Sequence, residues 1–276
     1  MQSKFLVALA LIAAAATATY AVPGGAGSTF RQYGPPVQLG GGQARTYVVT
    51  DRKTGNPIEV GVALDQSALD SLPSSGNLGG GGHEHYNSHL LKLPAGHDTP
   101  YRFVELNWNP NGHGAPYAAP HFDFHFYRIS LAERNAIDPA KPEYATRAAN
   151  LPAEEELPAG YASSHQLLNL TPAQASVPRM GLHWVDTASP ELPPKNQPFT
   201  ATFILGSWDG KVIFDEPMIT RDFILSQRGS TTAREIPVPA ARRYRPAGFY
   251  LSGYRVSFDA QSGEYRIALT GLSRKR

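Results

Sequence analysis

Two histidines and an aspartate alternate with phenylalanines in residues 120–127, which read PHFDFHFY. Successive side chains of a β-strand point to opposite faces of a sheet, so His121, Asp123 and His125 would share one face and the phenylalanines the other. Imidazole and carboxylate groups bind divalent metals and transfer protons. The segment therefore predicts a strand with an aromatic side for the core and a chemically active opposite side.

Strand geometry limits how these three polar side chains can act together. With a rise of about 3.3 Å per residue, neighbours at i and i+2 lie ~6.6 Å apart, whereas His121 and His125 lie ~13 Å apart. An i, i+2 pair can share a metal ion, but the two histidines can do so only if a bulge or a strong twist shortens the gap. The spacing predicts Asp123 with one histidine, or both histidines across a distortion, with further ligands from elsewhere.

Four residues outside the strand are candidates for completing such a site. His183 is flanked by large apolar residues, His113 lies between two glycines, and Glu216 is expected just past the end of a strand, at the rim of a barrel. Glu105 alternates with apolar residues and could face the same cavity. The predicted metal ligands are His121, Asp123, His125, His183, Glu216 and His113.

In the leading hypothesis His121, His125 and His183 are the core ligands, and Asp123 is either a ligand or a group that orients one. Nitrogen and oxygen ligands of this kind suit a divalent transition metal such as Zn²⁺, Mn²⁺ or Fe²⁺. If the protein is an enzyme, the metal would polarise a substrate or activate water or oxygen. The substrate and the reaction stay open.

Two other interpretations compete with the metal site. Buried histidine and aspartate side chains often satisfy each other in a hydrogen-bond network, as in a non-enzymatic envelope or ligand-binding protein. The same groups could also perform acid/base catalysis without a metal. The segment GSWDG at 206–210 lacks the order of a serine nucleophile elbow and is typical of a turn.

Composition excludes several classes of protein. The chain of 276 residues has a formal net charge of only +2 with scattered basic residues, which argues against nucleic acid as a partner. It contains no cysteine, so disulfides, thiolate zinc sites and cysteine nucleophiles are excluded. Association into a homo-oligomer and binding of an unidentified small molecule stay open.

The N-terminus predicts export. Lys4 precedes the apolar run FLVALALIAAAA, and small residues that suit cleavage follow at 16–18 and 19–21. We expect a signal peptide over 1–21, a flexible Gly- and Pro-rich arm over 22–42 and a single β-rich domain over 43–276. The apolar run is short for a membrane span of ~20 residues, so the mature protein should be periplasmic or extracellular, with no stable span.

The remaining pattern predicts short strands joined by turns. Hairpins are expected over 45–64, over 199–214 around Asp209-Gly210, and over 248–272, and further strands over 86–93 and 101–108. Ser130 and Glu133 form a capping-box pattern before a helix over 131–137. The predicted fold is mainly β, an antiparallel barrel or sandwich with a few short helices.

Three segments together resemble an uncharacterised family of exported bacterial proteins: PHFDFHFY at 120–127, MGLHWVD at 180–186 and GSWDGKVIFDEPMIT at 206–220. The resemblance runs from about residue 45 to residue 272. Because that family has no established activity, it implies one domain around one site but no catalytic residues. Cupins share a histidine-rich barrel strand by analogy only, since this strand reads H-x-D-x-H and no glutamate follows at a matching distance.

Overall fold

A computed structural model describes residues 28–74, 87–230 and 232–276. The predicted signal peptide, the first residues of the predicted arm and the first residue of the strand predicted over 86–93 lie outside these ranges. Within the described residues, no helix combines the length and the apolar character that a membrane-crossing helix requires.

Two antiparallel sheets form the body of the protein. The first sheet contains β1 (Thr29–Tyr33), β2 (Val37–Leu39), β3 (Gly42–Asp51), β4 (Pro57–Asp65), β12 (Arg234–Pro237), β14 (Gly253–Asp259) and β15 (Glu264–Thr270). Its order is β1-β3-β4-β15-β14-β12, and β2 pairs with β3. The predicted first and last hairpins are therefore confirmed, and they are neighbours in this sheet through β4 and β15.

The second sheet carries the histidine-rich strand. It contains β5 (Ser88–Lys92), β6 (Phe103–Asn109), β7 (His121–Tyr127), β8 (Tyr161–Ser163), β9 (Leu182–Asp186), β10 (Ala201–Trp208) and β11 (Lys211–Thr220). Its order is β5-β6-β7-β11-β10-β9-β8, so β7 lies well inside the sheet. A separate pair consists of β13 (Gly248–Tyr250) and β16 (Ser273–Lys275).

The two sheets pack face to face around one core. The ring of Phe203 on β10 stacks on that of Tyr254 on β14, with ring centroids 5.7 Å apart. The same cluster joins apolar side chains of both sheets, among them Val48, Val62, Val104, Phe124, Leu205, Val256 and Ile267. Neither sheet closes on itself. The mainly β prediction is therefore confirmed, and of the two architectures that it named the fold is the sandwich.

Short helices and loops surround the two sheets, and those over residues 131–149 lie on the outer face of the second sheet. The helices are α1 (Gln66–Asp70), α2 (Leu131–Asn135), α3 (Tyr144–Ala149), α4 (Ser164–Leu168), α5 (Pro172–Ala175) and α6 (Arg221–Leu225), with a 3-10 helix at Glu154–Glu156. Ile137 and Tyr144 pack against Phe214 of β11 on this face. Further along the sheet, Tyr117 and Leu192 cover Met218. The chain thus has a third layer over the face that bears the histidines.

The capping box that the sequence predicts begins α2. The Ser130 hydroxyl accepts a hydrogen bond from the Glu133 amide at 3.2 Å, and the Glu133 carboxylate accepts one from the Ser130 amide at 2.8 Å. Two backbone donors that a helix N-terminus leaves unsatisfied are therefore satisfied.

Two local predictions differ from the structure. The arm predicted over 22–42 contains β1 and β2, which pair with β3 in spite of the glycines and prolines around them. The strand predicted to end at Phe214 continues to Thr220, so Glu216 lies inside β11 and not at a rim. Pro217, which has no N–H to donate, is tolerated within this strand.

Candidate metal centre

Strand β7 separates its side chains as the alternation predicts. Phe122, Phe124 and Phe126 are buried in the core between the sheets. Burial of each such ring stabilises the fold by roughly 1.5–3 kcal/mol relative to an exposed ring. Because this face is fixed by the core, the other face must carry His121, Asp123 and His125 under the third layer, where each is at most 1% exposed.

A first ligand group contains His113, His121 and Asp123, and each residue offers an atom within 4.8 Å of the others. His113 belongs to the loop between β6 and β7, which folds back over the sheet. Its Nε2 lies 3.0 Å from Oδ2 of Asp123, and Nε2 of His121 lies 3.3 Å from Oδ1. The aspartate therefore has a histidine nitrogen next to each of its oxygens.

Hydrogen bonds with the backbone and a neighbouring amide orient this group. Nδ1 of His121 lies 2.7 Å from the carbonyl oxygen of Ala119. Since a carbonyl can only accept, Nδ1 is the protonated nitrogen, and in a neutral ring Nε2 has a lone pair directed towards Asp123. The side-chain amide of Asn109, opposite His121 on β6, donates to Oδ2 of Asp123 at 2.8 Å.

Asp123 and His113 shift each other's pKa in opposite directions. Burial raises the pKa of the Asp123 carboxyl group, but hydrogen bonds with His113 and His121 outweigh burial and hold the pKa well below its usual range. Burial lowers the pKa of His113, and its hydrogen bond with Asp123 outweighs this and raises that pKa above the ordinary value. Asp123 is thus an ionised carboxylate at neutral pH.

A second ligand group contains His125, His183 and Glu216, again with atoms within 4.8 Å of one another. Nε2 of His125 lies 3.4 Å from Oε1 of Glu216. His183 comes from β9 and is separated from β11 by β10, whose Gly206 lies opposite both His183 and Phe214. The absence of a side chain at Gly206 makes room for the ring of Phe214, which lies against both histidines.

The glutamate of the second group is in an unfavourable environment for a negative charge. It is 2% exposed, and its Oε2 has no hydrogen-bond partner among the described residues. Burial, and secondly the negative charge of Asp123, raise the pKa of Glu216 well above its ordinary value. A nearby cation would offset both effects.

The six predicted ligands therefore lie on one face of the second sheet, divided between two groups. Asp123 lies with one histidine of its own strand, as the rise per residue predicts for undistorted neighbours. His121 and His125 belong to different groups, so the leading trio of His121, His125 and His183 does not converge on one point.

Glu105 faces the same side as predicted, but it is engaged by other residues. It lies opposite His125 on β6, and its Oε1 accepts hydrogen bonds from Ser88 at 2.6 Å and from Arg134 of α2. Burial raises the pKa of Glu105, but the charges of His125 and Arg134 outweigh it and lower the pKa. This ion pair attaches α2 to the sheet beside the second group.

Sequence reasoning did not single out Asn109 and Tyr117. Asn109 is the last member of the alternating polar series Glu105, Asn107 and Asn109, and that alternation could have identified it. Tyr117 packs with Met218, two residues after Glu216 on β11, and burial together with the charges of Glu191 and Glu216 raises the pKa of its hydroxyl. No local sequence pattern marks Tyr117, since the fold of its loop brings it there.

Comparison with known proteins gives one partial match. No curated protein and no solved structure matches the chain. A family model matches residues 53–108, from the turn after β3 to Trp108 of β6, and so ends before His113 and before the three segments that carry the resemblance. Over these residues the chain is similar to an uncharacterised family described as TTHB210-like, hypothetical protein TTHB210.

Proposed function

We propose that the protein binds a divalent transition metal on the outer face of the second sheet, with His113, His121 and Asp123 as ligands. Zinc, manganese and iron(II) all accept two imidazoles and a carboxylate. Three protein ligands leave a coordination position for water or a small ligand.

The observation that carries this proposal is the approach of Nε2 of His121 to Oδ1 of Asp123 at 3.3 Å. In a neutral His121 ring with its proton on Nδ1, Nε2 carries a lone pair. This lone pair and the carboxylate oxygen Oδ1 of Asp123 then face each other away from water. Ligand atoms at 2.0–2.1 Å from a tetrahedral metal lie about 3.4 Å from each other. The separation therefore suits a cation between the two atoms.

The surroundings support the same assignment. A metal-binding histidine commonly donates its second ring nitrogen to a backbone carbonyl, and a metal-binding carboxylate commonly accepts further hydrogen bonds. Ala119 and Asn109 provide these contacts. His113 has a side chain that is 21% exposed, which gives an ion a route from solvent.

The alternative is a hydrogen-bond network in which His121 or His113 is protonated and pairs with Asp123. The existing contacts of Asp123 with Asn109 and His113 favour this alternative, because they satisfy one carboxylate oxygen without a metal. The two interpretations differ in one measurable property, since only the metal site should be stabilised by added metal.

Metal analysis of untagged protein tests the proposal. Protein exposed to Zn²⁺, Mn²⁺ or Fe²⁺ and then dialysed should retain at least about one equivalent, and metal at 100 times its Kd should stabilise the fold by ~2.7 kcal/mol. Retention below about a tenth of an equivalent, without a thermal shift, would support the network instead.

Two variants locate the ion. His113→Ala removes a partly exposed ligand and should abolish retention at this group while the fold persists. His89→Ala is the matched control, because His89 lies opposite Leu106 on β5 and so points to the other side of the same sheet. Equal loss of metal in both variants would contradict the assignment.

The N-terminal sequence supports export as a further part of the proposal. The basic residue, apolar run and small residues before position 22 have the order of a secretory signal. The metal would then be acquired in the periplasm or outside the cell.

A further inference from the structure

We propose that each chain binds a second, separate metal ion at His125, His183 and Glu216. This inference rests on the proposed function, because it assumes that the same face binds metal at the first group. It differs from the single site that the sequence predicts, and it assigns a role to each of the two histidines of β7.

The contacts within the face separate the two groups. Both oxygens of Asp123 face the first group, since Oδ2 contacts His113 and Oδ1 faces His121. Glu216 faces the second group, since its Oε1 lies 3.4 Å from Nε2 of His125. The pairing of β7 with β6 is continuous from His121 to His125, without a bulge. The backbone positions of these two histidines therefore stay ~13 Å apart. One ion cannot therefore use both histidines with both carboxylates in their present positions.

The second group has the geometry of a ligand set in its own right. The 3.4 Å between Nε2 of His125 and Oε1 of Glu216 equals the separation of about 3.4 Å expected between two ligands of a tetrahedral zinc ion. Oε2 of Glu216 is buried without a hydrogen-bond partner among the described residues, so part of its bonding capacity is unused. Buried side-chain oxygens in folded proteins nearly always have a hydrogen-bond partner, and a bound ion is one explanation for an exception.

The surroundings also favour a cation at this point. Glu216 and Asp123 are both almost fully buried, and they lie near each other because Asp123 is opposite Met218, two residues after Glu216 on the same face. Like charges in such proximity are unfavourable unless cations lie beside them. His183 is half-buried, whereas His125 and Glu216 are almost fully buried, so this group meets solvent at His183.

The loop between β6 and β7 covers both groups. It supplies His113 to the first group, and its Tyr117 packs with Met218, two residues after Glu216 on β11. The loop therefore lies over two ligand groups, each with two imidazoles and one carboxylate.

Zinc stoichiometry distinguishes the possibilities. The untagged full-length mature protein would be loaded with Zn²⁺, dialysed and analysed for bound zinc, alongside His113→Ala, His183→Ala and the double variant. These two histidines are the more accessible members of their groups, and circular dichroism would confirm that each variant is folded. We expect about two equivalents in the wild type, about one in each single variant and almost none in the double variant, if each trio binds independently.

Three outcomes would overturn the inference. About one equivalent in the wild type, abolished by either single variant, would indicate one shared site and leave the proposed function intact. Two equivalents that His183→Ala does not reduce would place the second ion elsewhere. No zinc in the wild type would refute the second zinc ion, and the proposed function would fall as well only if Mn²⁺ and Fe²⁺ were also not retained.

If His183→Ala fails to fold, Glu216→Gln serves as a second variant. It keeps the shape of the side chain and removes the anionic ligand, so zinc should again fall by about one equivalent. Zinc retention equal to that of the wild type would contradict the second site.

Discussion

Replacement of Gly206 by alanine should disturb the second ligand group without changing any ligand. A Cβ atom at this position would lie 2.0 Å from Cε1 and 2.1 Å from Cζ of Phe214. Carbon atoms in contact need about 3.5 Å, so the ring would have to retreat by about 1.5 Å. The ring is fully buried, and its centroid lies 4.9 Å from that of His125 and 5.2 Å from that of Tyr127. The displacement therefore acts on His125 and Tyr127.

The cost of this change follows from the packing. Inserting a methyl group into a filled core costs about 1–3 kcal/mol. For a chain of this size each kcal/mol lowers Tm by about 2–4 °C, so we expect a fall of ~2–12 °C. Gly248→Ala is the matched control, because the nearest atom to its Cβ is Cε2 of Tyr250 at an ordinary 3.5 Å. That variant should stay within about 0.5 kcal/mol of the wild type.

Urea unfolding of the metal-free proteins measures both effects, and zinc titration tests the consequence for binding. Gly206→Ala should lose zinc affinity at His125, His183 and Glu216 and keep it at the first group. Addition of Phe214→Leu should restore part of the stability, since the two positions are in contact. An unfolding free energy of Gly206→Ala within about 0.5 kcal/mol of the wild type would refute the reasoning.

Three further predictions concern other parts of the molecule. Arg134→Ala leaves the Glu105 carboxylate buried without its cation, so urea unfolding should show a loss of ~3–5 kcal/mol in the free energy of unfolding. Arg242→Ala is the control, because the side chains of Arg242 and Glu154 in that ion pair are 72% and 91% exposed, and it should leave Tm unchanged. Because the pKa of His113 is raised above 6.5, zinc must displace a proton from this residue at pH 6. Zinc affinity should therefore rise with pH until the raised pKa is passed. Calorimetry in buffers of different ionisation enthalpy would detect the released proton, and absence of proton release would contradict the assignment. Mass spectrometry of exported protein should find a mature N-terminus after Ala18 or Ala21, and intact Met1 would exclude signal cleavage there.

Local patterns predicted much of the fold because they reflect local physics. The Asp209-Gly210 turn was recognisable since both residues adopt positive φ, as a two-residue hairpin loop requires. The capping box of α2 depends only on contacts within one turn of helix. Strands β1 and β2 were missed because composition suggested a flexible segment, whereas pairing with β3 determines their conformation.

The extent of β11 was underestimated for a similar reason. Pro217 lies beyond the expected end of the strand at Phe214, and proline has no N–H for a sheet hydrogen bond. In the sheet, pairing of β11 with β7 is interrupted between Asp215 and Met218 and then resumes, so the proline occupies a gap in the ladder. Sequence alone does not reveal that gap, because it depends on which strand lies alongside.

The division of the histidine-rich face has its cause in the same long-range register. The spacing H-x-D-x-H allows Asp123 to join either neighbouring histidine, because both lie two residues away. Strand β6 breaks this symmetry, since Asn109 lies opposite His121 and Glu105 lies opposite His125. Asn109 donates to Asp123 at the His121 end, whereas Glu105 supplies a negative charge at the His125 end, where Glu216 approaches from β11. The pairing of three strands, and not the spacing within one, therefore determines that the face carries two ligand groups.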